Sequence, residues 1–301
     1  MFLKSKPGTS AAGRPPAAVE ITPEGVLAGA LSSSSAEQAW AFRTLPAGTL
    51  VPHIEEQNLR SPETVTLAIR SALAQVFPRT RDITLILPDT LVRVFVLDFD
   101  TLPAKAAEAL SVVRFRLRKM VPFDVEHAAV SYQVLSKNET ELKVLAAVVP
   151  GTILAEYEAA VRAASYEPGV VISSSLAALE SVDTMEAVLS ANLSTMAITT
   201  TIANGQDLLL YRTIDLPQDS LPRMGEIQRS IAVAAAYFED KLGARPRTLH
   251  YTGILKAADF SRTIADSTFD IIEWVLRPEG AATPLPQTSF AGVAGALAGA
   301  R

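Results

Sequence analysis

Cysteine is absent from the 301 residues of the chain. Its absence excludes disulfide bonds, thiolate metal sites and cysteine nucleophiles, and it agrees with a reducing compartment. Histidine is scarce as well, and His53, His127 and His250 show no spacing typical of metal ligands. Isolated histidines in strands and loops usually satisfy local hydrogen bonds. We therefore expect neither a metal centre nor a cysteine-based active site.

An excess of positive charge is also missing. The chain has 27 Lys and Arg against 32 Asp and Glu, a net charge of -5 at pH 7. A nucleic-acid-binding protein needs a basic face for the phosphates, so the composition argues against that class. Charged residues make up 20% of the sequence and hydrophobic residues 49%. Those fractions predict a folded chain with a large core rather than a disordered one.

Long apolar runs are lacking too. The longest run near a chain end covers residues 290–300, well short of the roughly 20 residues that a bilayer needs. Residues 1–8 carry charges but no apolar segment typical of a secretion signal. We expect no direct membrane span, so any membrane association would come through a partner. Residues 1–16 are rich in Lys, Pro, Gly and Ser and are predicted to form a mobile tail.

What the sequence does contain is an alternation of strand and helix signals. Residues 17–31 indicate a hairpin that turns at residues 23–25. Ser61 begins a predicted helix, because Pro62 suits the first helical position and Glu63 suits its positive end. The predicted apolar face of this helix consists of Leu67, Ala68, Ser71, Ala72 and Val76.

The clearest helix spans residues 103–120. Its apolar stripe follows helical spacing and consists of Ala106, Leu110, Val113, Leu117 and Met120. A strand candidate at residues 91–99 precedes it, and a hairpin at residues 127–149 and another helix follow it. Together these elements predict a compact α+β unit over residues 91–166.

Turn signals separate these elements, and none of them resembles a known catalytic motif. Pro88-Asp89 follows an apolar strand, and Asn204-Gly205 is a strong hairpin turn. Residues 173–175 are all serine but lack the glycine flanks of a nucleophile elbow. Asp98 and Asp100 lie two residues apart at a strand end, where they indicate a turn rather than a catalytic pair.

A family resemblance appears in residues 114–134. A basic helix is followed by the turn Pro122-Phe123-Asp124 and by a strand that ends at Tyr132-Gln133. This order resembles the helix-to-strand passage of PilM-type type IV pilus assembly proteins of the FtsA/PilM superfamily. Three further segments resemble the same family, namely residues 87–99, 144–149 and 290–297.

The resemblance implies an actin-like fold made of two ribonuclease-H-like halves. The first half carries an inserted strand–helix–strand–strand module, to which the α+β unit corresponds. The implied division is a tail at 1–16, a first half at 17–90 and 167–190, the inserted module at 91–166, and a shortened second half at 191–301. The implied location is cytoplasmic, peripheral to the inner membrane through a partner. The implied partner is the cytoplasmic N-terminal segment of a PilN-like membrane protein, with the pilus motor ATPases as further partners.

The nucleotide site of that fold is altered at the first phosphate turn. Actin-like sites need an Asp-x-Gly turn, whose acid organises metal and water and whose glycine lets backbone N–H groups reach phosphate. Here Glu20 stands in place of the aspartate and Thr22 in place of the glycine. Pro23 lacks a backbone donor, and Glu24 would repel phosphate. A competing interpretation is that Glu20 is a hairpin charge facing water.

The remaining nucleotide loops are weakened in the same way. Residues 191–194 supply neither acid nor glycine, and the third turn keeps only Gly253. The segment between Ile214 and Gly225 is shorter than in typical family members. We therefore expect a pseudo-ATPase without ATP or Mg²⁺ as a cofactor. The alternatives are a divergent ATPase or sugar-kinase-like protein and an FtsA-like filament protein.

The basic helix is also the candidate partner surface. Phe115 points away from the apolar stripe, with Arg118 on its flank and Arg114 at the border of the stripe. Pro122 and Phe123 end the helix. The resemblance implies a peptide groove between the inserted module and the body of the first half, and we assign these five residues to it. The alternatives are a solvated basic face and a second layer that packs on Phe115.

Overall fold

The computed structural model describes most of the chain, namely residues 2–3, 14–31, 38–137, 141–182, 185–205, 207–264, 269–274 and 288–300. The predicted mobile tail therefore lies largely outside the described residues. Fourteen strands and seven α-helices lie within the described part of the chain. In order they are β1 (Phe2–Leu3), β2 (Ala17–Thr22), β3 (Gly25–Leu31), β4 (Gln38–Thr44), α1 (Pro62–Val76), β5 (Asp82–Leu87), β6 (Arg93–Phe99), α2 (Ala106–Leu117), β7 (Ala128–Lys137), β8 (Leu142–Pro150), α3 (Gly151–Ala163), β9 (Glu167–Ser173), α4 (Ser174–Ala178), β10 (Val188–Leu193), β11 (Ala197–Asn204), β12 (Asp207–Asp215), α5 (Ser220–Leu242), β13 (Thr248–Gly253), α6 (Ala257–Thr263), β14 (Asp270–Glu273) and α7 (Ala291–Ala298).

The first sheet has the strand order β1-β9-β5-β2-β3-β4. Strands β2, β5 and β9 are parallel, and β2, β3 and β4 form an antiparallel meander. Every residue of 17–21 is buried, as expected for a strand covered on both faces. Helices α1 and α3 pack together on this sheet, and α4 packs with α7. The predicted hairpin at residues 17–31 is confirmed as β2–β3.

The second sheet has the order β12-β11-β10-β13-β14. Strands β10, β11 and β12 form an antiparallel meander, while β13 and β14 run parallel to β10. Asn204-Gly205 makes the predicted turn between β11 and β12, with Gly205 at a φ of 60°. Helix α5 lies against β10 and β11. Its buried residues are Ile227, Ser230, Ile231, Ala234 and Phe238.

The inserted module contains the third sheet, in the order β6-β8-β7. The side chains of β8 alternate between its two faces. Val144 and Val148 pack against α2, whereas Ala147 and Val149 belong to the core of the first half. Helix α2 packs on β7 and thus covers the face of the module sheet that turns away from that core.

Two predicted helix faces need correction. In α2 the buried residues are Ala109, Val113 and Leu117, while Ala106 is exposed and Met120 is 42% exposed. Because α2 ends at Leu117, Met120 lies beyond the last regular turn and helical spacing no longer applies to it. In α1, Leu67 is off the core face and 61% exposed. The buried residues of α1 are Val65, Ala68, Ile69, Ala72, Leu73 and Val76.

Two elements pack elsewhere than the predicted division implies. Helix α3 lies inside the predicted module at 91–166, but its side chains Tyr157 and Val161 are buried in the core of the first half. Helix α7 lies in the predicted second half, but Val293 and Leu297 join that same core, against α4 and β2. The chain therefore crosses back to the first half near its end. No helix in the described part of the chain is long and apolar enough to cross a membrane.

Candidate functional site

The two predicted phosphate turns face each other across the cleft between the halves. The hydroxyl of Thr195, in the β10–β11 turn, donates to a carboxylate oxygen of Glu24, in the β2–β3 turn, at 2.5 Å. Arg223 of α5 steadies the β10–β11 turn by donating to the backbone oxygens of Ser194, at 2.9 Å, and Thr195, at 2.7 Å. The two turns are thus in direct contact with each other.

A buried carboxylate joins the halves deeper in the cleft. Asp89 follows β5 and accepts hydrogen bonds from the backbone N–H of Ser175 at 3.0 Å and from its hydroxyl at 2.5 Å. From the second half, the hydroxyls of Thr199 and Tyr211 each donate to Asp89 at 3.1 Å. Burial raises the pKa of Asp89, and these hydrogen bonds oppose the rise. We call Asp89, Ser175, Thr199 and Tyr211 the Asp89 cluster.

The sequence signal for the Asp89 cluster was present but ambiguous. Pro88-Asp89 was interpreted only as a turn. A single acid at the carboxyl end of a largely apolar strand also indicates a site in an α/β sheet, because ligands bind at the carboxyl edge of such sheets. The partners of Asp89 could not be found in the sequence, since Thr199 and Tyr211 lie more than a hundred residues away on another sheet.

Glu20 lies in the same cleft and is buried, so the interpretation of a water-facing hairpin charge is wrong. The pKa of Glu20 is raised from 4.5 to about 8, chiefly by burial and also by the charges of Asp89 and Glu24, while a hydrogen bond with Ser174 opposes the rise. Its Oε2 atom has no hydrogen-bond partner among the described residues. A Cβ atom at Gly292 of α7 would lie 2.8 Å from that oxygen. At pH 7 Glu20 is therefore predominantly a neutral acid.

The cleft between these residues holds a cavity of about 50 Å³. Small-molecule sites usually measure roughly 300–1,000 Å³. Oxygens without a hydrogen-bond partner in the described part of the chain line this cavity, on Glu20, Thr90, Asn192 and Thr288. Buried polar atoms of this kind bind ordered water, for which the cavity has room. The space suits a few water molecules rather than a nucleotide.

The residues present do not fit a magnesium nucleotide in this closed arrangement. Three carboxyl groups line the cavity, on Glu20, Glu24 and Asp89, and the negative charge of a nucleotide would disfavour the ionised form of each of them. Pro23 cannot donate to phosphate. Thr22 donates its hydroxyl to the backbone oxygen of Gly25, inside its own turn, at 3.2 Å. Within the described ranges, no group of three His, Cys, Asp or Glu residues could hold a metal ion.

Gly253 has a structural reason to be glycine. Its φ is 152°, and a Cβ atom there would lie 2.4 Å from the backbone oxygen of Leu193. The end of β13 thus packs directly on the end of β10, which any side chain would prevent. Of the three nucleotide-loop positions named from the sequence, Glu20 and Thr22 line the cavity. Gly253 lies at the carboxyl end of β13, next to Ile254, which also lines the cavity.

The five residues assigned to partner binding lie on the outer side of the module. Arg114 is half-buried and donates to the backbone oxygens of Val125, at 2.5 Å, and Ala128, at 3.0 Å. It therefore ties α2 to the start of β7. Phe123 is partly buried against the core under α2, and Pro122 is exposed. The groove between module and body that we expected these residues to line is not where the structure places them, because α2 covers the opposite face of the module sheet.

Phe115 and Arg118 form the accessible part of this surface. Phe115 is 68% exposed, and the guanidinium of Arg118 lies 5.9 Å from the centre of its ring. The Nε of Arg118 donates to Glu126 Oε1 at 2.9 Å. An exposed aromatic ring beside a cation suits contact with an apolar and acidic partner. We call Phe115, Arg118, Pro122 and Phe123 the α2 face.

Comparison with known proteins supports the architecture rather than a specific activity. No family model and no curated protein matches the sequence. Among solved structures, a chain of the "PilM-PilN type IV pilus biogenesis complex" is 18% identical, with a TM-score of 0.74 over 95% of this chain and 98% of that chain. A protein of Bacteroides thetaiotaomicron VPI-5482 "with actin-like ATPase fold and unknown function" is 12% identical, with a TM-score of 0.51 over 88% and 94%. The chain therefore has an actin-like fold of the PilM-like type.

Proposed function

We propose that the chain is a non-catalytic, actin-like scaffold of a type IV pilus machine or of a related type II secretion or DNA-uptake platform. In this role it lies in the cytoplasm at the inner membrane and binds the cytoplasmic N-terminal segment of a PilN-like membrane protein. The observation that carries the proposal is the likeness to a chain of a PilM–PilN complex across nearly the full length of both chains.

The closed cleft supports the non-catalytic part of the proposal. The Thr195–Glu24 hydrogen bond joins the two turns between which a phosphate would have to lie. Glu20, held neutral at pH 7, is a poor ligand for Mg²⁺, which prefers ionised carboxylates and phosphate oxygens. The Asp89 cluster fixes the halves against each other from inside.

The α2 face supplies chemistry that suits a short membrane-protein tail. Phe115 offers an apolar contact, and Arg118 offers a guanidinium whose present partner, Glu126, is itself exposed. A carboxylate of the partner can replace Glu126 at little loss, since exposed ion pairs contribute about 0–1 kcal/mol. The partner would therefore combine an apolar side chain with an acidic group.

The test uses the full chain and a synthetic peptide that matches the cytoplasmic N-terminus of a PilN-like membrane protein from the same genome. We expect saturable binding by calorimetry, weakened at least about tenfold by Phe115→Ser and by Arg118→Glu. Leu221→Ser, at a position 74% exposed on α5, is the matched control and should leave binding unchanged. An absence of binding by the unaltered chain would contradict the scaffold role.

Calorimetry also tests whether the cleft binds a nucleotide. With millimolar Mg-ATP we expect no saturating heat and no magnesium-dependent thermal shift. Saturable binding of Mg-ATP would instead support a divergent ATPase, and the two titrations together separate the two functions. Sedimentation at high protein concentration, with and without ATP, examines the third possibility of filament formation.

A further inference from the structure

The outer side of α1 presents apolar and basic residues that no other part of the described structure covers. Leu67, Arg70, Ala74 and Phe77 follow one another at helical spacing, and all four are exposed, Leu67 by 61% and Phe77 by 84%. The sequence alone had placed Leu67 in the core. The stripe is about 15 Å long, since a helix rises 1.5 Å per residue.

Phe77 occupies a position that disfavours phenylalanine in two respects, its backbone conformation and its exposure to solvent. It follows the last residue of α1 in the left-handed conformation, with φ 51° and ψ 60°. Glycine is the usual residue at such a helix end, because a Cβ atom is strained there. The Phe77 ring nevertheless points into solvent, so contacts within this chain do not compensate for the strain. A partner that covers the ring would compensate for it.

An open pocket of about 340 Å³ adjoins Phe77. Its walls include Arg79, Arg81 and Tyr166. The guanidinium of Arg81 lies 5.6 Å from the centre of the Tyr166 ring and donates to the backbone oxygen of Ser165 at 2.6 Å. This arginine is thus held in place at the wall of the pocket. Arg79 is exposed at the rim.

We propose that this surface, made of Leu67, Ala74, Phe77, Arg79, Arg81 and Tyr166, docks an acidic segment of a second protein partner. A large apolar side chain of the partner enters the pocket beside Phe77 and Tyr166. Carboxylates of the partner meet Arg79 and Arg81, because a guanidinium beside an aromatic wall selects a planar anion. The partner's remaining apolar residues lie along Ala74 and Leu67.

Charge and shape favour a protein segment over a lipid surface. Membrane-binding clusters typically contain about 4–8 basic residues, whereas this surface carries Arg70, Arg79 and Arg81, of which Arg70 donates to the backbone oxygen of Ala163. A concave pocket also fits an inserted side chain better than a flat bilayer does.

The position of this surface separates it from the cleft. Strand β5 starts at Asp82 beside the pocket and ends at Leu87, next to the Asp89 cluster. Its length, roughly 20 Å at 3.3 Å per residue, separates the docking surface from the cleft. A scaffold with two such surfaces can hold two partners at once.

The test selects displayed random 15-residue peptides on the immobilised full-length chain. Each selected peptide is then titrated by fluorescence anisotropy against the unaltered chain, Phe77→Ser and Arg79→Glu. The matched controls are Leu221→Ser and Arg245→Glu, which alter exposed residues on and just after α5. Circular dichroism checks the fold of each variant.

We expect acidic peptides with at least one large apolar residue, which bind both test variants at least about tenfold more weakly and both controls within about twofold. Rising salt should weaken binding to the unaltered chain more than binding to Arg79→Glu. Selected peptides that bind all variants equally, or no selected peptides, would overturn the proposal. The proposal would also be overturned if the unaltered chain bound vesicles with anionic lipid, or associated with itself, and both test variants lost that property. Either result would assign the surface to another occupant. These variants leave the α2 face unaltered and should bind the PilN-like peptide as the unaltered chain does, so failure here leaves the proposed function standing.

Discussion

The cleft and the inserted module use charged side chains in opposite ways. In the cleft, Asp89 and Glu20 are buried, and Asp89 accepts four hydrogen bonds that come from both halves. In the module, Asp98 and Glu126 are exposed and pair with Lys143 and Arg118 at the surface. Breaking a buried network leaves unsatisfied donors, whereas breaking an exposed pair returns both groups to water. Burial therefore makes the cleft a rigid joint, and exposure leaves the module surface available to partners.

The largest effect should follow from removing the carboxylate of the Asp89 cluster. Asp89→Ala leaves the donors of Ser175, Thr199 and Tyr211 without their acceptor, and we expect a loss of about 3–5 kcal/mol in the free energy of unfolding. Asp98→Ala, the same substitution at an exposed pair, should cost about 0–1 kcal/mol. Urea denaturation followed by circular dichroism compares them. Equal losses for the two variants would show that the cleft is not a rigid joint.

The module itself contains the second contrast, between two side chains of one helix. Leu117 is fully buried and Phe115 is 68% exposed. Leu117→Ala should lower the free energy of unfolding by about 2–5 kcal/mol, because it removes buried methyl groups and leaves a cavity. Phe115→Ala should change it by about 0.5 kcal/mol or less, as is usual at the surface. A large loss for Phe115→Ala would indicate that another layer packs on this ring in solution.

The buried acid Glu20 predicts a dependence on pH. Its pKa is raised from 4.5 to about 8 in the folded chain, so the folded state binds its proton more tightly than the unfolded state. The contribution of Glu20 to stability is complete below about pH 4.5 and is lost as the pH rises toward and through 8. Glu20→Gln removes this titration, while Asp89, whose pKa is also raised, is present in both chains.

We therefore expect the difference in unfolding free energy between Glu20→Gln and the unaltered chain to shift by about 2 kcal/mol or more in favour of the variant between pH 5 and pH 9. Glu126→Gln, at an exposed acid of the module, is the control and should show little change over that range. A constant difference for Glu20→Gln across the range would mean that its carboxyl is hydrated and ordinary.

Local patterns in the sequence were enough to predict the elements whose cause is local. The hairpin at residues 17–31 and the Asn204-Gly205 turn depend on a few neighbouring residues, and both are confirmed. The fold itself was predicted from a family resemblance in residues 87–99, 114–134, 144–149 and 290–297, and the structural likeness confirms it. The burial of Val113 and Leu117 followed from helical periodicity alone.

Features that depend on distant parts of the chain could not be predicted in this way. The small residues of α7 fit any close packing, and nothing in them specifies a return to α4 and β2. No local pattern in the sequence indicates that Leu67 is exposed, and leucine is a residue that is more often buried. The Asp89 cluster required knowledge of which strand of the second sheet faces β5. In each case the missing information is tertiary contact rather than local preference.

The smallest expected effect concerns Phe77, and its sign is opposite to that of the others. Phe77→Gly should raise the free energy of unfolding by about 1 kcal/mol, because glycine adopts the left-handed conformation at the end of α1 without strain. The ring is 84% exposed, so its removal loses little packing. Val76→Gly, one residue earlier in the helix and buried, is the contrast and should be strongly destabilising.

Urea titrations of both variants determine the sign of each change in the free energy of unfolding. A loss of stability for Phe77→Gly would mean that the Phe77 ring is packed in solution. The exposed Phe77 at the end of α1 would then differ from the exposed Phe115 of α2. A gain would mean that this chain keeps an aromatic residue against its own stability, as expected where the ring serves contact with another molecule.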